Sequence, residues 1–305
     1  MKKTVKTFCV FILTLVLLVT PYHFDKALAI ENIENERFVT SYDCDKGTTV
    51  TKPLSQIIQT SKTVEKDRSQ ASNSELNSQD SGENQMGPRM VFNQNEWVEA
   101  NPYDAKVAYM RVYWKDGSSN TRGTAFFISN DTVVTSAHCI YDEDKGGWCE
   151  YADIFPAKNS SQNPYGQISS DTIHLLTDYI DSPSISTDYA IIELERAVNV
   201  GYFNCSSSAS SGQYIKIVGY PAYLSNNPSS GTSQIIKQYY DTGTINAVYS
   251  GYFTTTNTNT NGGSSGGPVL NSNNQVIGIV KGNSGSANGI TRLGAYEVDW
   301  FATFR

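Results

Sequence analysis

The run Gly262-Gly263-Ser264-Ser265-Gly266-Gly267-Pro268 sets serine among glycines, which permits a tight turn and the close approach of another backbone. Such a turn can present a hydroxyl while aiming backbone N–H groups at a negative charge forming beside it. Other Ser/Gly stretches, such as Gly282-Asn283-Ser284-Gly285, share this composition, so the loop alone does not identify chemistry. A serine hydroxyl is a poor nucleophile until a neighbouring base accepts its proton, and imidazole suits that task near neutral pH. His138 stands in Thr135-Ser136-Ala137-His138-Cys139 at the end of a β-type run, and Asp188 opens the apolar run Tyr189-Ala190-Ile191-Ile192. A buried carboxylate there can hold the imidazole tautomer and stabilise the imidazolium. An Asp at the mouth of a strand is more often a turn former or cap. His174, in Asp171-Thr172-Ile173-His174-Leu175-Leu176, reads as a packed or surface histidine rather than a second base.

The elements that must position these residues are short. Val107–Trp114, Gly123–Ser129 and Thr132–Ser136 are rich in aromatic and β-branched residues, and Asn130-Asp131 is a plausible hairpin turn between the last two. Asp188–Leu194, Tyr214–Val218, Ile235–Tyr240, Gly243–Tyr249, Pro268–Leu270 and Gln275–Val280 are further candidate strands. Many short strands without alternating helices predict an all-β barrel or sandwich. Ala295, Val298, Phe301 and Ala302 recur at helical spacing, so a short terminal helix is expected. Ser206–Ser211 and Thr254–Asn261 read as loops.

Lys2, Lys3 and Lys6 precede an apolar run from Phe8 to Thr20, and Ala27-Leu28-Ala29 supplies a small-residue cleavage site. Residues 1–29 therefore read as a signal peptide directing export from the cell; the apolar run falls short of the roughly 20 residues that span a bilayer. Residues 30–89 read as a largely flexible pro-segment, because Thr60 to Arg89 holds almost no large apolar residues. A folded body is expected over 90–305, with no membrane span in the mature form. Cleavage after Arg89 or after Met90 would release it, with the site after Arg89 preferred.

The chain has a net charge of −7. From Met90 onward there are 12 basic and 19 acidic residues, so an acidic body without a basic stripe argues against a nucleic-acid partner. Cys139 and Cys149 could close a short disulfide loop beside His138, leaving Cys205 free or paired elsewhere. There is no CxxC, and the body holds two histidines, His138 and His174, so neither a zinc site nor any other cofactor is expected.

TSAHC, DYAIIEL and GGSSGGPV, in the order His–Asp–Ser, resemble the chymotrypsin-like serine proteases. Within them, NDTVVTSAHCIYDEDKGGW and NSSQNPYG are similar to the bacterial glutamyl endopeptidase branch. The resemblance covers roughly Val91 to Arg305. It implies two six-stranded antiparallel β-barrels and acyl-enzyme peptide hydrolysis in the cleft between them. Ser265 would attack, His138 would shuttle the proton and Asp188 would orient His138, with the N–H groups of Gly263 and Ser265 forming the oxyanion hole. The implied partners are protein or peptide substrates, the chain's own pro-segment and an activating protease.

The sequence departs from that family in two places. Ser264 stands where digestive relatives carry an aspartate that pairs with the new N-terminus, so activation by that ion pair is not expected. In the pocket, Asn259 replaces an acidic floor and Thr260 matches a threonine of the glutamyl branch, but that branch's histidine aligns with Val280. Lys281 could supply a cation for an acidic P1 residue, or be a solvated surface lysine. The resemblance implies Glu/Asp at P1, but the missing histidine leaves that preference open. A catalytically silent secreted β-barrel for binding or adhesion is the competing reading, and the loss of a triad member would have favoured it. A lipase or esterase needs its serine first in an α/β sheet, contrary to the order here.

Overall fold

The computed structural model describes residues 36–61, 97–117, 120–222, 236–255, 257–284 and 287–305; the expected signal peptide and the cleavage sites after Arg89 and Met90 lie outside them. Strands β1 (Phe38–Asp43) and β2 (Thr48–Pro53) form a hairpin, and residues 54–61 form helix α1. The chain continues through β3 (Val98–Glu99), β4 (Val107–Tyr113), β5 (Thr121–Phe127) and β6 (Thr132–Thr135). A small two-stranded ribbon, β7 (Tyr141–Asp142) and β8 (Gly147–Trp148), precedes β9 (Tyr151–Pro156) and β10 (Ile168–Leu176). After helix α2 (Thr177–Asp181) come β11 (Ala190–Leu194), β12 (Tyr214–Gly219) and β13 (Tyr239–Thr244). The last elements are β14 (Ala247–Val248), β15 (Tyr252–Thr255), β16 (Pro268–Leu270), β17 (Val276–Ser284), β18 (Ala287–Arg292) and helix α3 (Ala295–Ala302).

The first sheet has the order β11-β6-β5-β4-β9-β10-β1-β2, and β10 also pairs with β11. That pairing closes β4, β5, β6, β9, β10 and β11 into a six-stranded antiparallel barrel. The second sheet runs β14-β15-β18-β17-β16-β12-β13-β3, a half-barrel that no pairing among the described residues closes. The expected all-β, chymotrypsin-like architecture is therefore present, with one barrel closed and the other open.

Period-two alternation explains how the barrels pack. In β4, Ala108, Met110 and Val112 enter the interior of the first barrel, while Val107 and Tyr109 face a second apolar layer. That layer also takes Val218, Tyr220, Leu270 and Ile279 from the second sheet, and Trp300 and Phe301 from α3. Strands buried on both faces read as nearly continuous apolar runs, and this made β4 and β11 legible. A third cluster, including Ile217, Phe253, Val269 and Val280, fills the half-barrel.

Three expectations are corrected. Residues 38–53, within the segment 30–89 expected to be largely flexible, are paired strands, and Val39 and Tyr42 are 0 and 1 % exposed; a few large apolar residues suffice when an existing sheet edge receives the strand. Second, the candidate strands Ile235–Tyr240 and Gly243–Tyr249 are redrawn: Tyr239–Thr244 is one strand, β13, with Asp241 buried as an acceptor in its middle, and Ala247–Val248 is a separate one. Third, Cys139 and Cys149 are both free thiols. The Cys149 N–H donates to the Ile140 carbonyl, which sets Cys149 opposite Ile140, and the Cys139 sulfur lies beside Gly123 and Met110. Cys205 is also free, and burial pushes its thiol up to about 12.

Candidate active site

The turn that carries His138 follows β6 as a single 3-10 turn, Ala137–Cys139. Ala137 and Cys139 point into the barrel interior, so His138 between them faces outward, with 35 % of its side chain exposed. Its Nδ1 lies 2.8 Å from Asp188 Oδ2, and its own backbone N–H donates to Asp188 Oδ1 at 3.0 Å. Asp188 is fully buried at the mouth of β11. Two donors from one residue satisfy this carboxylate, and an Nδ1–H directed at it leaves Nε2 as the acceptor. Burial lowers the imidazole's proton affinity, while the neighbouring Cys139 sulfur and the Asp188 carboxylate raise it; the result lies well above the ordinary histidine value.

The serine loop, and the strand β17 behind it, are tied to the first barrel. Ser136 Oγ donates to the Val280 carbonyl at 2.8 Å, and the Thr124 N–H donates to the Ser265 carbonyl at 2.8 Å. Thr124 Oγ1 donates to the Gly263 carbonyl and accepts from the Tyr220 N–H. Gly266 has φ +84°, and a Cβ there would fall onto the Thr124 carbonyl oxygen and Thr135 Oγ1. Ser264, fully buried, both donates to the Asn261 carbonyl and accepts from the Asn261 N–H. The loop is thus tied through a neutral hydroxyl at the position where an ion pair was not expected.

Ser264, Gly266 and Gly267 donate their N–H groups to the carbonyls of Asn261, Val280 and Ser264. Among the described residues, the N–H groups of Gly263 and Ser265 have no such backbone acceptor. Ser265 Oγ donates to the Lys281 carbonyl at 3.0 Å. Lys281 is the extra residue of a bulge between the pairs Val280↔Ile290 and Gly282↔Gly289, and bulges re-aim the backbone groups that carry them.

The residues expected in the pocket divide. The Val280 side chain is fully buried in the half-barrel core, and its carbonyl is its contribution to the site. Lys281 is half-buried, and its backbone carbonyl is the group that meets Ser265 Oγ. Thr260 is buried and donates to Asn288 Oδ1 at 2.7 Å, while Asn288 Nδ2 donates to the Thr258 carbonyl. Asp241 Oδ2 accepts from the Asn259 N–H at 2.7 Å and from Asn259 Nδ2 at 3.1 Å. Burial raises the Asp241 pKa against these donors. Asp241, Asn288, Thr124 and Ser136 are the supporting residues that sequence reading missed, since each acts on a partner distant in the chain. A cavity of about 560 Å³ opens on the other side of His138, lined in part by Arg122, Tyr141, Glu143 and Tyr179. His174 lies outside the site, bonded to Ser41 Oγ and Glu193 Oε1 at 2.7 Å each.

The family described as a trypsin-like peptidase domain matches residues 123–279, more than half of the chain and all three of His138, Asp188 and Ser265. The chain belongs to the trypsin-like peptidases. Among curated relatives, this trypsin-like peptidase is 34 % identical over 151 residues to the glutamyl endopeptidase of Bacillus licheniformis, covering 48 % of this chain and 44 % of that protein. It is 29 % identical over 184 residues to a Bacillus subtilis protein named extracellular metalloprotease, covering 54 % and 58 %. The chain thus spans about half the length of these relatives. Among the described residues, no three His, Cys, Asp or Glu side chains converge as metal ligands. Solved structures with the same fold include a Glu endopeptidase in complex with MPD, at TM-score 0.60, 21 % identity and coverage of 71 % of this chain and 100 % of that one. The protease Anisep from Arthrobacter nicotinovorans matches at TM-score 0.54 and 20 % identity, covering 67 % and 97 %. No helix among the described residues is long and apolar enough to cross a membrane.

Proposed function

We propose that this trypsin-like peptidase is a secreted serine endopeptidase made as a precursor, with Ser265 as nucleophile, His138 as general base and acid, and Asp188 as the group that orients His138. The observation that carries the reading is the 2.8 Å bond between His138 Nδ1 and buried Asp188, on a turn preceded by Ser136, which donates to the same Val280 carbonyl that accepts from the Gly266 N–H of the serine loop. In acylation, Ser265 Oγ attacks the scissile carbonyl and its proton passes to His138 Nε2. The carbonyl oxygen becomes an oxyanion within reach of the Gly263 and Ser265 N–H groups. His138 then protonates the leaving amine, and a water activated by the same imidazole hydrolyses the ester. Export through the N-terminal signal and removal of a pro-segment by cleavage after Arg89 complete the proposal.

For P1 we propose Glu or Asp. The name of the Bacillus licheniformis relative supports this; Lys281, whose backbone carbonyl meets Ser265 Oγ, would supply the cation and Thr260 would line the pocket wall. An acidic side chain held there needs a cation, since an unpaired buried carboxylate costs several kcal/mol, roughly. The competing reading, a catalytically silent barrel, is favoured by one observation: the Ser265 hydroxyl is bonded to the Lys281 carbonyl rather than to imidazole. One experiment separates these readings. The processed protein is incubated with a peptide library and the new termini are sequenced, with Ser265→Ala as control. Cuts after Glu and Asp that fall about 10⁶-fold in Ser265→Ala are expected. Cuts after apolar residues would reject the P1 assignment, and cleavage retained in Ser265→Ala would reject the mechanism.

A further inference from the structure

The hairpin β1–β2 is seated on the first barrel as an added pair of strands. β10 pairs with β9 only at Ile168 and Ser169, which leaves the rest of that edge without a neighbour. β1 occupies it from Val39↔Leu176 to Asp43↔Thr172. An open edge of that length would leave a row of unpaired N–H and C=O groups in water. Val39, Tyr42 and Leu54 are buried to 0, 1 and 0 % exposure, and Tyr42 stacks on Trp148 with ring centroids 5.2 Å apart. Ser41 Oγ meets His174 Nδ1 at 2.7 Å.

The strongest tie lies at the start of the hairpin. Arg37 Nη1 donates to Glu297 Oε1 at 2.7 Å, and Nη2 donates to the Tyr189 hydroxyl at 3.2 Å. Tyr189 itself donates to Glu297 Oε1 at 3.0 Å, and Glu297 Oε2 accepts from the Gly294 N–H that begins α3. Tyr189 is the residue after Asp188. Departure of the hairpin would strip a largely buried carboxylate of its cation beside the catalytic strand. Residues Arg37–Arg305 form one unit, whereas the polar stretch between α1 and β3 carries few residues able to anchor it.

We infer that residues 37–61 are a resident part of the peptidase, not a discarded leader: once the chain is cut between α1 and β3, the hairpin stays bound, without a covalent link, as a second polypeptide of the mature protein. The pro-segment expected over 30–89 then divides into a retained strand pair and a released polar remainder. This inference rests on the processing step of the proposed function, and its test is arranged to be independent of that step. A recognition sequence for an unrelated site-specific protease is placed within residues 70–80 of full-length Ser265→Ala. The cut protein is run by native size exclusion under reducing conditions, and each peak is analysed by mass. Co-elution of the fragment containing residues 37–61 with the body at about micromolar concentration is the expected result. Separate elution of an intact, folded body would overturn the inference. Arg37→Ala in the same background should weaken retention on the order of tenfold or more; unchanged retention would remove Arg37 as the anchor. Failure of the natural chain to cut itself or be cut near Arg89 bears on the processing reading alone, because the introduced site still decides retention.

Discussion

His138 is subject to opposing influences, and their balance makes a prediction about pH. Burial disfavours its charged form, but Cys139 and the Asp188 carboxylate favour it more strongly, so the imidazole holds its proton to a pH well above the ordinary value of about 6.5. A base must be unprotonated to act. The acidic limb of the kcat/KM profile should therefore lie above pH 6.5, measured with a peptide substrate across pH 5–9. Asp188→Asn removes one of the raising causes; its limb should move to lower pH and its kcat should drop about 10⁴-fold. A wild-type limb at or below pH 6.5 would contradict the pairing. The same raised value means that the pair contributes stability fully present below about pH 6.5, which is lost as pH rises through the folded-state pKa. The His–Asp–Ser order was legible in the sequence because each residue sits in a distinctive local run. Asp241 was not, since an Asp-Thr-Gly triplet looks like a turn until its partner Asn259 is seen across the half-barrel.

At the scale of elements, the serine loop is held by surfaces that belong to the other barrel. Gly266 rests on the Thr124 carbonyl and Thr135 Oγ1 with φ +84°, so a side chain there meets both steric overlap and backbone strain. Gly266→Ala should lower stability by at least about 1–3 kcal/mol and abolish most activity, as read by urea unfolding and by kcat. Gly262 has open space where a Cβ would stand, and Gly262→Ala should leave stability within about 0.5 kcal/mol of the parent. Equal effects of the two substitutions would show that the loop's docking does not depend on this close approach. The bulge at Lys281 belongs to the same scale. Nothing in GIVKG announces an extra residue in a strand, yet the bulge presents the Lys281 carbonyl to the serine and leaves Val280 in the core.

At the scale of the molecule, the two sheets share an apolar layer that α3 completes. Trp300 is fully buried there, edge-on to Tyr189 with centroids 5.9 Å apart. Trp300→Ala should cost about 3–5 kcal/mol, a fall in Tm on the order of 10 °C, measured by calorimetry on the full chain. A change below about 1 kcal/mol would mean that α3 is not part of the cooperative unit. The sequence by itself determined the all-β class, the terminal helix and the identity and order of the three candidate catalytic residues, because these depend on local periodicity and on motifs a few residues long. It did not foresee the hairpin, and it paired two cysteines that are free thiols. Those outcomes depend on which edge of β10 lay open and on which residue stood opposite Cys149. Each is a relation between residues far apart in the chain, and only the tertiary structure decided them.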